Sequence, residues 1–164
     1  MNIFYLDHNP ALCAQYHCDK HVVKMILESA QLLCTALNVV AGTQVTPYRS
    51  THINHPCSIW VRENFHNWLW LYHLMLELEQ EWQYRWEHNK RHKSVEAVQS
   101  IKVDGYNVSH IACAFLPEGN HTYPPLAMPE HCKLGDVILS YREYYRIEKQ
   151  DLHKWTKRGQ PSWL

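Results

Sequence analysis

The chain has 164 residues, 46% of them apolar, and only five glycines. That excludes a disordered chain and leaves room for one domain with a substantial core. Sixteen basic and sixteen acidic residues cancel to a formal charge of zero, so bulk electrostatics neither select nor reject a polyanionic partner. The unusual counts are 13 histidines, 7 tryptophans and 10 tyrosines, which supply titratable rings and flat surfaces for packing or base stacking.

The start, Asn2 to Leu6, reads as a short extended lead, with neither the basic region nor the long apolar region of a signal peptide. Asn9 followed by Pro10 is an N-cap and first-turn pair, which predicts a helix over 10–40. A break is expected near His17 to Asp19, with Asp19 capping the continuation and Gly42 closing it. Residues 43–54 are polar and turn-rich. Pro56 then opens a second long helix, 56–90, where the spacing of Ile59, Trp60, Phe65, Trp68, Leu69, Tyr72, Met75, Leu76 and Trp82 is helical. The run Trp60 to Trp86 is assigned to the core.

Ser94 to Ile101 reads as one short helix capped by Ser94. Prolines 117, 124, 125 and 129 and two glycines make 103–133 a loop, extended over His121 to Pro129. A final amphipathic helix is expected over 136–156, before a basic, aromatic tail. The fold class is therefore all-α, a single-domain helical globule over 1–164. Cys13, Cys18, Cys34, Cys57, Cys113 and Cys132 form no Cys-x-x-Cys pair, which fits a reduced, cytoplasmic chain. No apolar run approaches the roughly 20 residues of a membrane span, so no membrane partner is expected.

Four constellations carry candidate chemistry. His17, His21, Lys24 and Glu28 fall at i, i+4, i+7 and i+11, which stacks two imidazoles, an ammonium and a carboxylate on one helix face. Val22, Val23, Met25, Ile26 and Leu27 around them predict a polar site on a buried helix, with Glu28 as acid or base and Lys20 or Lys24 as amine nucleophile. The competing account is a surface Lys24–Glu28 pair.

His52, Asn54 and His55 sit at the mouth of the second helix, where backbone N–H groups can receive a phosphate and Arg62 follows about two turns on. Capping alone is the alternative there. A third reading combines His17, His21, His52 and His55, with Asp19 in reach, as a metal site. No metal is the preferred expectation, because His-Glu-x-x-His does not occur and the lysine between the ligands would repel a cation. Fourth, Tyr145, Lys154, Trp155, Lys157 and Arg158 interleave rings and cations in the manner of a nucleic-acid surface.

Met1-Asn2-x-Phe4, Asp19-Lys20, Glu28-x-x-Gln31, Asn54-His55-Pro56, Trp60, Glu81 and Arg85 together resemble the pyrimidine-dimer DNA glycosylase (endonuclease V-like) group over roughly residues 1–90. The ending Pro125 to Pro129, Tyr141-Arg142-x-Tyr144-Tyr145, Lys154-Trp155 and Trp163 resembles uncharacterised phage-encoded proteins. The first resemblance implies an all-α fold in which an N-terminal α-amine attacks the sugar C1′. A helix glutamate matching Glu28 assists, and arginines hold DNA. The chain has Asp19-Lys20 where that group has an Arg-Glu pair, and Asn2 where it has a small second residue. Lys20 or Lys24 therefore joins the N-terminus as candidate amine.

The expected activity is base excision or related chemistry on DNA or nucleotides. His21 and His55 would serve as positioning groups, Asp19, His52, Asn54, Arg62, Tyr145, Lys154, Trp155, Lys157 and Arg158 would contact substrate, and no cofactor is needed. A metal-dependent hydrolase or hydroxylase and a non-enzymatic phage accessory protein are the alternatives.

Overall fold

The extended lead is the centre of the molecule: Ile3, Phe4, Tyr5 and Leu6 are each 5% exposed or less. In the computed structural model, which describes Met1–Leu164, it runs between the first helices and the last. Its Leu6 carbonyl accepts from Arg142 at 3.0 Å, and the Asn2 amide donates to Ala127 O at 2.8 Å. Seven helices surround it: α1 Pro10–Tyr16, α2 Asp19–Ala41, α3 Pro56–Glu63, α4 Phe65–Trp86, α5 Lys93–Gln99, α6 Val108–Phe115 and α7 Val137–Glu148. One two-stranded hairpin, β1 Lys102–Val103 and β2 Tyr106–Asn107, pairs antiparallel. The architecture is all-α, and one cluster of 35 buried residues forms its core.

Helix α1 starts as its sequence dictates. Asn9 Oδ1 accepts from the N–H groups of Ala11 and Leu12, with Pro10 in the first turn. Asn9→Ala is expected to cost about 1 kcal/mol of stability, read from urea denaturation, because two N–H groups lose their acceptor. An unchanged midpoint would show that water replaces the cap.

The expected break falls at His17 and Cys18, both in extended conformation. Asp19 does not cap the second segment. Cys18 holds the N-cap position without a side-chain bond, because the Asp19 carboxylate is engaged by Arg85 and Thr156. Helix α2 then runs 23 residues to Gly42, which takes the left-handed φ of 69°. By length and composition α2 is apolar enough to cross a membrane, contrary to the sequence expectation. In the fold 67% of its apolar window is buried, chiefly against α4 and α3.

The single helix expected over 56–90 is two. Asn64, at φ −157° and ψ 165°, ends α3 and caps α4 by accepting from Asn67 N at 3.0 Å. Its amide also donates to Asn120 O at 3.1 Å. Gly119 packs so close that a Cβ there would lie 2.9 Å from Asn64 Cβ. Helix α4 stops at Trp86, where Glu87 turns left-handed at φ 56°. The tryptophans behave as expected: Trp60, Trp68 and Trp70 are buried, and Trp82 and Trp86 pack against the core.

Segment 103–133 is not simply loop. Asp104 and Gly105, both at positive φ, turn the hairpin, as an Asp-Gly pair favours. Asn107 then caps α6 through the N–H groups of Ser109 and His110. Residues 121–127 are non-helical, as their prolines require. Helix α5 is capped by His92 rather than Ser94. Helix α7 is capped by Asp136 and ends at Glu148, well short of 156, followed by a 3₁₀ turn over Gln150–Leu152.

Candidate functional site

The histidines of the first motif are interior groups. His17, the C-cap of α1 rather than part of α2, hydrogen-bonds through Nδ1 to Cys13 O at 2.7 Å. Its Nε2 is buried with no partner. His21 Nδ1 pairs with the Tyr145 hydroxyl at 2.5 Å, and Phe4 stacks on its ring at a centroid distance of 4.2 Å. His21 and Tyr145, expected to meet substrate, therefore meet each other.

Burial pushes His17 down to about 4, with the Arg85 charge adding to the fall. Burial, then His17, Lys149 and Lys24, push His21 down to about 3. Both rings stay neutral in the fold and protonate in the unfolded chain below about pH 6.5. Stability is thus full above that pH and falls as the pH drops toward 4, by up to roughly 1.4 kcal/mol per pH unit per histidine. Urea denaturation is expected to give a stability roughly 2–4 kcal/mol lower at pH 5 than at pH 7. His17→Asn, which keeps a donor for Cys13 O, should remove about half of the difference; equal stability at the two pH values would contradict neutral burial.

Asp19, Trp155 and Arg158 are likewise engaged within the fold, and Lys157 is paired at the surface. Arg85, 1% exposed, donates to Asp19 Oδ1 at 3.0 Å, Glu81 Oε2 at 2.9 Å, His17 O at 2.9 Å and Gln15 O at 3.0 Å. Arg158 closes on Glu81 at 2.6 Å, and Thr156 gives Asp19 both its N–H and its hydroxyl. Trp155 Nε1 donates to Tyr16 O at 3.0 Å, and Lys157 pairs with Glu87. The tail is a clasp around the α1–α2 junction. Arg62 is also structural, donating to Ile53 O at 2.7 Å.

What remains accessible lies further along α2. Lys24 is exposed and its ammonium sits 3.2 Å from Glu28, so the face expected to be buried opens to solvent at this point. Across from it, His55 caps α3 by accepting from Cys57 N at 3.2 Å, while Asn54 and His52 are exposed in the preceding turn. His55 is held below its ordinary value by burial first, then by the Met1 ammonium and His52, with Glu28 opposing. Burial pushes the Cys57 thiol up to about 11, while the Met1 ammonium lowers it and Glu28 raises it further. Met1, Glu28, His52, His55 and Cys57 thus form one electrostatic neighbourhood, with Lys24 on its Glu28 side.

Asn2 fixes the Met1 end of that neighbourhood. Besides holding Ala127 O, its Oδ1 accepts from Ile3 N at 2.7 Å and from the Tyr141 hydroxyl at 3.2 Å. Tyr141 also donates to Pro125 O at 2.7 Å. A groove of about 360 Å³, lined by Pro56, Ile59, Trp60, Glu63, Tyr123 and Pro125, starts beside the first turn of α3. Lys20 and Lys154 are exposed, and Lys154 O accepts from Asp19 N at 2.8 Å. With Lys24 and Lys149, which both act on His21, they set four lysines around the first half of α2.

His17, His21, His52 and His55 do not converge. The one trio of His, Cys, Asp or Glu whose ligating atoms lie within 4.8 Å of one another is elsewhere, at His131, Cys132 and Glu148. Sequence reasoning missed Asn2, Cys57 and Tyr141. Asn2 meets Ala127 and Tyr141 across 125 and 139 residues of chain, a separation that leaves no local signal. Comparison with protein families, with characterised sequences and with solved structures finds no match.

Proposed function

We propose that the protein acts on DNA or nucleotides by amine catalysis at the Met1–Lys24–Glu28–His55 cluster, in the manner of a glycosylase with lyase activity. One observation carries the reading. The charges of Met1, His52 and Glu28 all act on His55, Lys24 lies 3.2 Å from Glu28, and Asn2 joins the lead to α3 and to the Ala127 and Tyr141 segments by accepting from Cys57 Sγ at 3.9 Å, Ile3 N and the Tyr141 hydroxyl and donating to Ala127 O.

In this scheme the neutral amine nitrogen attacks C1′ and the glycosidic bond breaks, the base leaving with the bonding pair. The sugar ring then opens to an imine between C1′ and the enzyme nitrogen. Glu28 accepts the amine proton and delivers it to the sugar oxygen. His55, kept neutral by its surroundings, orients the sugar. Lys20 and Lys154, both exposed, hold phosphates, whereas Lys157 and Arg158 are paired with Glu87 and Glu81. The groove beside the first turn of α3 offers the exposed ring of Tyr123 to a base. The Lys24 ammonium is paired with Glu28 at 3.2 Å, so the Met1 amine is the preferred nucleophile and Lys24 the second.

Borohydride trapping on DNA carrying an abasic site tests the scheme. A covalent adduct is expected with the native chain and with Lys24→Ala, and is expected to vanish when the α-amine is acetylated. Loss in Lys24→Ala alone moves the nucleophile to Lys24, and no adduct in any form rejects amine catalysis.

A further inference from the structure

The short turn Glu130–Cys132 lays its side chains on the end of α7. His131 Nε2 and Glu148 Oε1 stand 2.6 Å apart, both residues are exposed, and the free thiol of Cys132 beside them is buried. We propose that His131, Cys132 and Glu148 form a binding site for a zinc-class divalent cation, independent of the amine cluster.

The donor set selects that class. One thiolate, one imidazole and one carboxylate suit a borderline-soft ion such as Zn²⁺ and are poor for Mg²⁺ or Ca²⁺, which take oxygen shells. The distances fit as well. Bonds of about 2.0–2.3 Å at tetrahedral angles set ligand atoms roughly 3.3–3.7 Å apart. The three ligating atoms already lie within 4.8 Å of one another. Binding draws the sulfur inward and inserts the ion between His131 and Glu148, whose side chains reach solvent and are free to part.

Competing cations are occupied. Lys133 pairs with Glu130 at 2.7 Å, Arg146 with Glu143 at 2.6 Å, and Lys149 lies over the Tyr144 ring at 4.5 Å. An exposed His131–Glu148 ion pair by itself contributes little and gives no role to the thiol. Three protein ligands leave a fourth position for water.

The site has a mechanical consequence. Cys132 N donates to Pro129 O at 3.0 Å, so the ion would clamp to α7 the same strap whose Pro125 and Ala127 carbonyls hold Tyr141 and Asn2.

The test is titration of the metal-stripped full chain with Co²⁺, followed by competition with Zn²⁺. One equivalent of Co²⁺ is expected, with a thiolate-to-cobalt charge-transfer absorption displaced by Zn²⁺. The band should persist in Cys113→Ser, which alters the exposed thiol, and disappear in Cys132→Ser. His131→Ala and Glu148→Gln, both at exposed positions, should keep the far-ultraviolet circular dichroism of the native chain and weaken binding by at least roughly tenfold. A native chain without a thiolate band, a band that survives Cys132→Ser, or affinity unchanged in both exposed variants would overturn the proposal. None of these readouts depends on glycosylase activity.

Discussion

Arg85→Met is expected to destabilise the protein by about 3–5 kcal/mol at neutral pH, the usual cost of removing one partner from a buried ionic network. Four acceptors converge on this guanidinium, and two of them, Asp19 and Glu81, keep their charge when it goes. Arg158 still faces Glu81 and Thr156 still bonds Asp19, so the carboxylates retain part of their shell. The carbonyls of Gln15 and His17, where α1 gives way to α2, lose this donor. At about 2–4 °C per kcal/mol for a chain of this size, the melting temperature should fall by roughly 6–20 °C. A loss below about 1 kcal/mol at neutral pH would mean that water enters and solvates the carboxylates.

Glu28→Gln should slow adduct formation on abasic DNA by roughly 10²–10⁴-fold while leaving the fold intact, the usual range for a lost proton-transfer group. Its i, i+4 pairing with the exposed Lys24 supports a helix by only about 0.2–0.5 kcal/mol, and an unchanged far-ultraviolet circular dichroism would assign a large rate effect to the chemistry. Single-turnover trapping rates separate this from weaker DNA binding, since saturating DNA removes a binding defect and leaves a chemical one. A change of less than about threefold would remove Glu28 from the chemistry.

Local chemistry was legible in the sequence where a few adjacent residues decide the outcome. Asn9-Pro10, Gly42 and the spacing of the Trp60–Trp86 run placed helix ends and core correctly. The Asp104-Gly105 turn was equally readable, but the prolines that follow it outweighed it.

The site was half legible. Lys24 and Glu28 pair as their spacing requires, but His17 was assigned to a helix face it does not share, because the chain turns extended at that residue. The basic tail illustrates the other limit. Arg158 and Lys157 look like free cations in sequence, and only the fold shows Glu81 and Glu87 neutralising them. A periodicity gives spacing along one element; which carboxylate waits across the core is a property of the closed chain.

The clasp that joins Thr156 to Asp19, 137 residues apart, also governs how the protein is made. The buried lead leaves the ribosome well before its partners at Pro125–Ala127, Tyr141 and Arg142 and before the seal at Trp155–Arg158. Ile3, Phe4 and Leu6 therefore lack these partners until residues 125–142 have been made. Helices α2 to α4 can associate early through contacts nearer in sequence, while closure waits on pairings that span almost the whole chain, which slows folding. Until residues 156–158 have been made, Asp19 lacks Thr156 and Glu81 lacks Arg158.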